Sequence, residues 1–238
     1  MVELEAIEKR KIDINWLPSW RVIPDRYPPI NFFEKVAPAD DWEALLEIEA
    51  MTDDHARFLK SKVDDLEPED RIVGPGSGRI MPSFIYYDTP GRFNEGAKFG
   101  AYYAARELDT AIIETMYHRE SFLRATKEKP QDVENIVISA DVTGELHDCR
   151  GLKSDIPALY DPDDYSYSHQ IAKHLREQGS LGIVYDSVRH SGGECAAVFR
   201  PRILANCEET KVLVYQWDGN RISGSYEKSH AAPRVTEA

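Results

Sequence analysis

The sequence has little positive charge, few cysteines and no long apolar run, and each shortage removes a class of function. Lys and Arg together number 29 against 42 Asp and Glu, a net charge of −13. Such a field opposes nonspecific nucleic-acid binding, which needs surplus cations for phosphate contacts. The three cysteines, Cys149, Cys195 and Cys207, are odd in number and form no CxxC pair. They read as reduced thiols of a cytoplasmic protein rather than a disulfide framework. No apolar stretch approaches the length that spans a bilayer, and the first residues lack a signal-peptide pattern, so no membrane association is expected.

Familiar site motifs are also missing. Gly74-Pro75-Gly76-Ser77-Gly78 looks like a phosphate loop, but Pro82 and a strand-like pattern follow where a helix should begin. Asp161, Asp163 and Asp164 suggest a calcium loop, without glycine at its sixth position or glutamate at its twelfth. His169 and His174 have no partners at metal-ligand spacing, so no metal is expected. Ser187 lies outside any Gly-x-Ser-x-Gly elbow, which argues against an activated serine nucleophile.

What remains is the pattern of an α+β chain of one domain, large enough to bury a core. Pro18, Pro24, Pro28, Pro29 and Pro38 imply extended chain and turns over the first forty residues. Asp40-Asp41 is a candidate cap for a helix through Trp42, Leu45, Leu46 and Ile48. A polar stretch, Lys60 to Arg71, then separates residues 1–70, read as an N-terminal extension packed on or preceding the core, from a motif-bearing region, 71–218. Short apolar runs predict strands at Ile80–Tyr87, Lys98–Ala104, Val133–Val142, Leu181–Tyr185, Ala196–Phe199 and Lys211–Trp217. Helices are predicted at Glu107–Arg119, with an apolar stripe of Leu108, Ala111, Ile112, Thr115 and Met116, and at His169–Gln178. The polar, Gly/Ser-rich tail, 219–238, reads as loosely ordered.

Two segments carry chemistry. Gly91-Arg92-Phe93-Asn94 offers a planar guanidinium fork for phosphate oxygens on a glycine-bearing turn. Tyr103 at a strand end and Glu114 inside the next helix can converge on one pocket. On a single helix they would stand roughly 16 Å apart. Glu114 and His118 are four residues apart on neighbouring faces. Ser187, in Tyr185-Asp186-Ser187-Val188-Arg189 ahead of Gly192-Gly193-Glu194, can donate and accept hydrogen bonds. Singly, each has an ordinary alternative: a surface arginine, a core tyrosine, a Glu114–His118 pair, a turn serine.

Taken in order from about Arg79 to Arg202, these motifs resemble the RES domain family, named for its arginine, glutamate and serine. The resemblance implies a compact β core with flanking helices, similar to ADP-ribosyltransferases. It implies NAD as substrate, cleaved between nicotinamide and ribose by a bacterial toxin, with Arg92, Tyr103, Glu114 and Ser187 as site residues. Arg92 would grip the pyrophosphate and Tyr103 the nicotinamide end. Glu114 would stabilise the developing charge, and Ser187 would orient nicotinamide or ribose. It also implies an Xre-type antitoxin as partner, which would carry any DNA binding. Transfer of ADP-ribose to a protein and a non-catalytic nucleotide-binding module remain open alternatives. So does the choice of acceptor, water or phosphate, and whether Tyr102 or Tyr103 faces the ligand.

Overall fold

A computed structural model describes residues 2–27, 29–30, 41–96 and 99–229. Expectations at Pro28, Pro38, Asp40, Lys98 and 230–238 lie outside the described residues. The chain runs α1 (Val2–Glu8), β1 (Lys11–Pro24), α2 (Trp42–Ala50), α3 (Asp54–Asp64), the single turns α4 (Ser77–Ile80) and α5 (Pro82–Ile85), and β2 (Tyr102–Ala105). It continues with α6 (Leu108–Ala125), β3 (Gln131–Asp148), α7 (Ser166–Glu177), β4 (Gly182–Asp186), β5 (Glu194–Val198), β6 (Leu204–Trp217) and β7 (Ile222–Glu227). This is an α+β fold around a seven-stranded sheet in the order β1-β2-β5-β4-β3-β6-β7. β1 also pairs with β3, so the first five strands of that order close into a ring.

Closure gives the strands two buried faces, and the period-two alternation of side chains distributes them. Ile136, Ile138, Ala140 and Val142 of β3, Val184 of β4, Ala196 and Val198 of β5 and Tyr102 and Ala104 of β2 share one core. Their neighbours Val137, Ile183, Tyr185, Cys195, Ala197 and Ala105 enter another, with Ala111 of α6 and Ile171, Ala172 and Leu175 of α7. Tyr103 packs against this second core, so Tyr102 and Tyr103 point to opposite faces. A smaller core, Trp42, Leu46, Ala56, Leu59, Met81 and Ile85, holds α2 and α3 to the short turns.

Three expectations are corrected. Ile80–Tyr87 forms two helical turns, not a strand. Ile80 and Phe84 enter the sheet core while Met81 and Ile85 enter the helical one, an i, i+4 spacing that a short apolar run disguises. Pro82 occupies the first turn of α5, where its missing N–H costs nothing. The glycine loop at 74–78 therefore does run into a helical turn, which begins at Ser77 and is four residues long. The 222–227 part of the tail is a paired strand, because Tyr215 and Trp217 of β6 need a neighbour along their edge.

The opening segment is built into the sheet. β1 runs antiparallel to β3 from Lys11 opposite His147 to Pro24 opposite Asn135, with Pro18 at the register shift between Trp16 and Ser19. Ile7, Ile14 and Trp16 are buried. β3 is longer than expected because Thr143, Gly144 and Glu145 pair with β1 in spite of their polarity. A chain lacking residues 1–24 is expected to lose its cooperative urea transition, since β3 would expose a full edge and two cores would open. An unchanged transition in the shortened chain would contradict this placement of β1.

Candidate active site

Glu114 lies in the second turn of α6, which packs on β1 and β2. Thr115 beside it back-bonds to the Ala111 carbonyl at 2.7 Å and reaches the Val22 carbonyl of β1 at 3.4 Å, which fixes the rotation of the helix. Ser187 follows β4 directly and opens the loop to β5. Its Oγ donates to Glu114 Oε1 at 2.5 Å and accepts the N–H groups of His190 (2.8 Å) and Arg189 (3.2 Å). With its own N–H on the Gly193 carbonyl, the serine both closes the turn and holds the carboxyl group. Gly193 is required there, because a Cβ would stand 2.6 Å from Thr110 Oγ1. Thr110 in turn bonds His190 Nδ1 at 2.8 Å, a second tie between α6 and this loop.

Arg92 sits in the turn Gly91–Asn94 and is 8% exposed. Its Nη1 donates to the Leu159 carbonyl at 3.0 Å, and its guanidinium lies 4.6 Å from the Tyr165 ring centroid, a cation–π contact. The Tyr103 hydroxyl holds the turn, accepting the Phe93 N–H and donating to Asn94 Oδ1, both at 2.8 Å. A Cβ on Gly91 would come within 2.7 Å of that hydroxyl, which explains the glycine. His169 Nε2 caps the same turn through the Gly91 carbonyl at 2.8 Å. Phe93 points into the core against Tyr185, ring centroids 4.9 Å apart.

The Arg92 turn and the Glu114–Ser187 pair both adjoin Tyr185: Phe93 of the turn packs on its ring, and Ser187 follows it by two residues at the same strand end. Desolvation holds His118 below the ordinary imidazole value; Glu114 pulls it up, and Arg189 and Arg92 add to the depression. Burial, with Glu114 adding, pushes the Cys195 thiol far up, so it behaves as a neutral packing group. Two roles expected from the sequence change. The Tyr103 hydroxyl is committed to the Arg92 turn, and the Ser187 hydroxyl to Glu114 and its own loop. Both therefore position a charged partner instead of offering a free hydroxyl.

Sequence reasoning passed over His169, Tyr165, Thr110 and His190, which complete the support. None has a spacing signal of its own; His169 was separable only as a histidine with no metal partners. The two small cavities at Glu8–His147–Ser180 and at Lys62–Phe84–Arg176 lie among other residues.

A family model described as RES domain matches residues 68–218. The chain belongs to the RES domain family. Uncharacterized protein y4oC of Sinorhizobium fredii (strain NBRC 101917 / NGR234) is 27% identical over 221 residues, which cover 91% of this chain and 90% of that protein. Among solved structures, the M. tuberculosis MbcT–MbcA toxin–antitoxin complex contains a chain at 14% identity and TM-score 0.48, over 87% of this chain and 91% of that one. The RES match begins at Pro68, so β1 is a strand of the sheet that stands outside the matched region.

Tyr103→Phe in this RES domain leaves the Phe93 N–H and Asn94 Oδ1 without their partner. It is expected to destabilise the fold by about 1–3 kcal/mol in urea. No change in the midpoint would show that the turn does not depend on the hydroxyl.

Proposed function

We propose that this chain degrades NAD by cleaving the N-glycosidic bond between nicotinamide and ribose, and that it acts as a toxin restrained by an Xre-type antitoxin. RES family membership supports the reading, and the observation that carries it is the Glu114 carboxyl group fixed by Ser187, two residues from the Tyr185 ring on which the Arg92 turn packs. Scission of the C1′–N bond sends its electron pair to the nicotinamide nitrogen and leaves positive charge on the ribose, an oxocarbenium-like state. A carboxylate held in advance stabilises that charge without reorganising as it forms. Water then adds its oxygen to C1′ and loses a proton, giving ADP-ribose. Nicotinamide leaves as a neutral molecule, so the chemistry itself demands no Lewis acid.

Arg92 is assigned the pyrophosphate, because its fork matches phosphate oxygens and its turn is braced by Tyr103, Asn94 and His169. Ser187 is assigned to Glu114 rather than to the ligand. The net charge of −13 fits a protein that leaves DNA to its antitoxin. A transferase passing ADP-ribose to a protein would use the same groups, and the product distinguishes it.

Purified chain incubated with NAD is expected to release nicotinamide and free ADP-ribose, resolved by chromatography. Glu114→Gln should lower the rate by roughly 10²–10³-fold, the usual loss for one preorganised charge-stabilising group. Labelled ADP-ribose appearing on protein would establish the transferase instead, and NAD left intact by folded chain would refute both.

A further inference from the structure

A strap, residues 159–165, crosses the site and occupies two arginines at once. Arg92 donates to its Leu159 carbonyl. Arg189, from the Ser187 loop, donates through Nη2 to its Pro162 carbonyl at 2.6 Å. Arg189 is itself shelved on the Tyr117 ring, 3.4 Å from the centroid, and the Tyr117 hydroxyl donates to Asp163 Oδ1 of the strap at 3.2 Å. Tyr165 closes the other end over Arg92. The two carbonyl acceptors, of Leu159 and Pro162, are three positions apart on the strap, which brings both guanidinium groups to the same short segment.

We propose that Arg189 is a second anion-gripping residue paired with Arg92, and that the strap fills this grip until a ligand carrying two linked phosphates displaces it. The proposal rests on the NAD reading and extends it to how the ligand enters. A main-chain carbonyl is a neutral acceptor. A phosphate oxygen makes charge-assisted bonds about twice as strong, so exchange of one for the other favours the ligand.

Leu159 and Tyr160 are buried, with the Tyr160 hydroxyl on the Cys149 carbonyl, so they anchor the strap and the part from Asp161 onward is what moves. The Leu159 carbonyl also accepts Ser168 Oγ at 3.1 Å and keeps that partner when Arg92 turns away. Asp161 accepts the N–H groups of Asp163 and Asp164, so the acidic tip moves as one folded turn. Those N–H bonds hold the Asp161 carboxyl below its usual range, with Arg92 adding to the effect. Asp161, Asp163 and Asp164 would repel a diphosphate while the strap stayed closed, so entry of the ligand itself drives opening. The Tyr117 ring stays under Arg189 and keeps the guanidinium oriented for its new acceptor.

Tyr117→Phe keeps that ring and removes only the latch to Asp163. In the unliganded protein, amide exchange across 161–165 is expected to rise by about two- to tenfold, the range for one lost hydrogen bond. Inorganic pyrophosphate, titrated calorimetrically, should bind Tyr117→Phe more tightly than the unmutated chain by a similar factor, because a larger fraction is already open. Arg189→Gln should weaken pyrophosphate as much as Arg92→Gln, with the urea midpoint retained. Pyrophosphate that binds no variant, binds Tyr117→Phe no better, or ignores Arg189→Gln overturns the proposal. Nicotinamide release, followed in parallel, judges the NAD reading separately, since turnover with any of these results would discard the paired grip alone.

Discussion

The hydrogen bond from Ser187 to Glu114 joins positions 73 residues apart, and the rest of the site depends on it. It can form only because β4 and β5 deliver their connecting loop to the side of the sheet that α6 covers. The loop is held at the right height by the Ser187 N–H on Gly193, by the absence of a side chain at Gly193 and by Thr110 on His190. α6 is held in rotation by Thr115 against β1. These contacts tie α6, the β4–β5 loop and β1 together, so a shift in any of the three would move the Glu114 carboxyl group.

Charge explains the second half of the design. On the proposed reading, an acidic protein with an anionic ligand would need positive potential concentrated in one place, and two arginines from distant segments would supply it. Both stack on tyrosine, the buried Arg92 on Tyr165 and the half-buried Arg189 on Tyr117. Among the described residues neither is paired with a carboxylate, and each rests on a main-chain carbonyl of the strap. The carbonyl satisfies the donor without cancelling the charge, which leaves the pair available to a stronger acceptor.

Much of this was readable in the residues, and the failures have physical causes. The apolar stripe of α6 and the β-branched runs of β3 and β4 declared themselves because burial and period agreed. Arg92, Glu114 and Ser187 could be singled out, since an ordered set of polar motifs survives in sequence even when its partners are distant. Ile80–Tyr87 misled because eight residues with an apolar majority satisfy both periods, and the two cores that select the helical one are formed by distant strands. β1 was read only as extended chain: its pairing with β3 is a long-range fact that no local pattern encodes. The roles of Tyr103 and Ser187 shifted for a similar reason, because a hydroxyl's partners are set by the turns around it.

The coupling between Glu114 and Ser187 is the claim on which the account stands, and a double-mutant cycle measures it. Nicotinamide release would be followed for the unmutated chain, Glu114→Gln, Ser187→Ala and the double variant, with folding checked for each. If Ser187 acts by holding Glu114, its removal should cost clearly less in the Glu114→Gln background than in the unmutated chain, a coupling of about 0.5–3 kcal/mol. Equal cost in both backgrounds would mean that the two residues act independently, and the site would have to be rebuilt with Ser187 on the ligand.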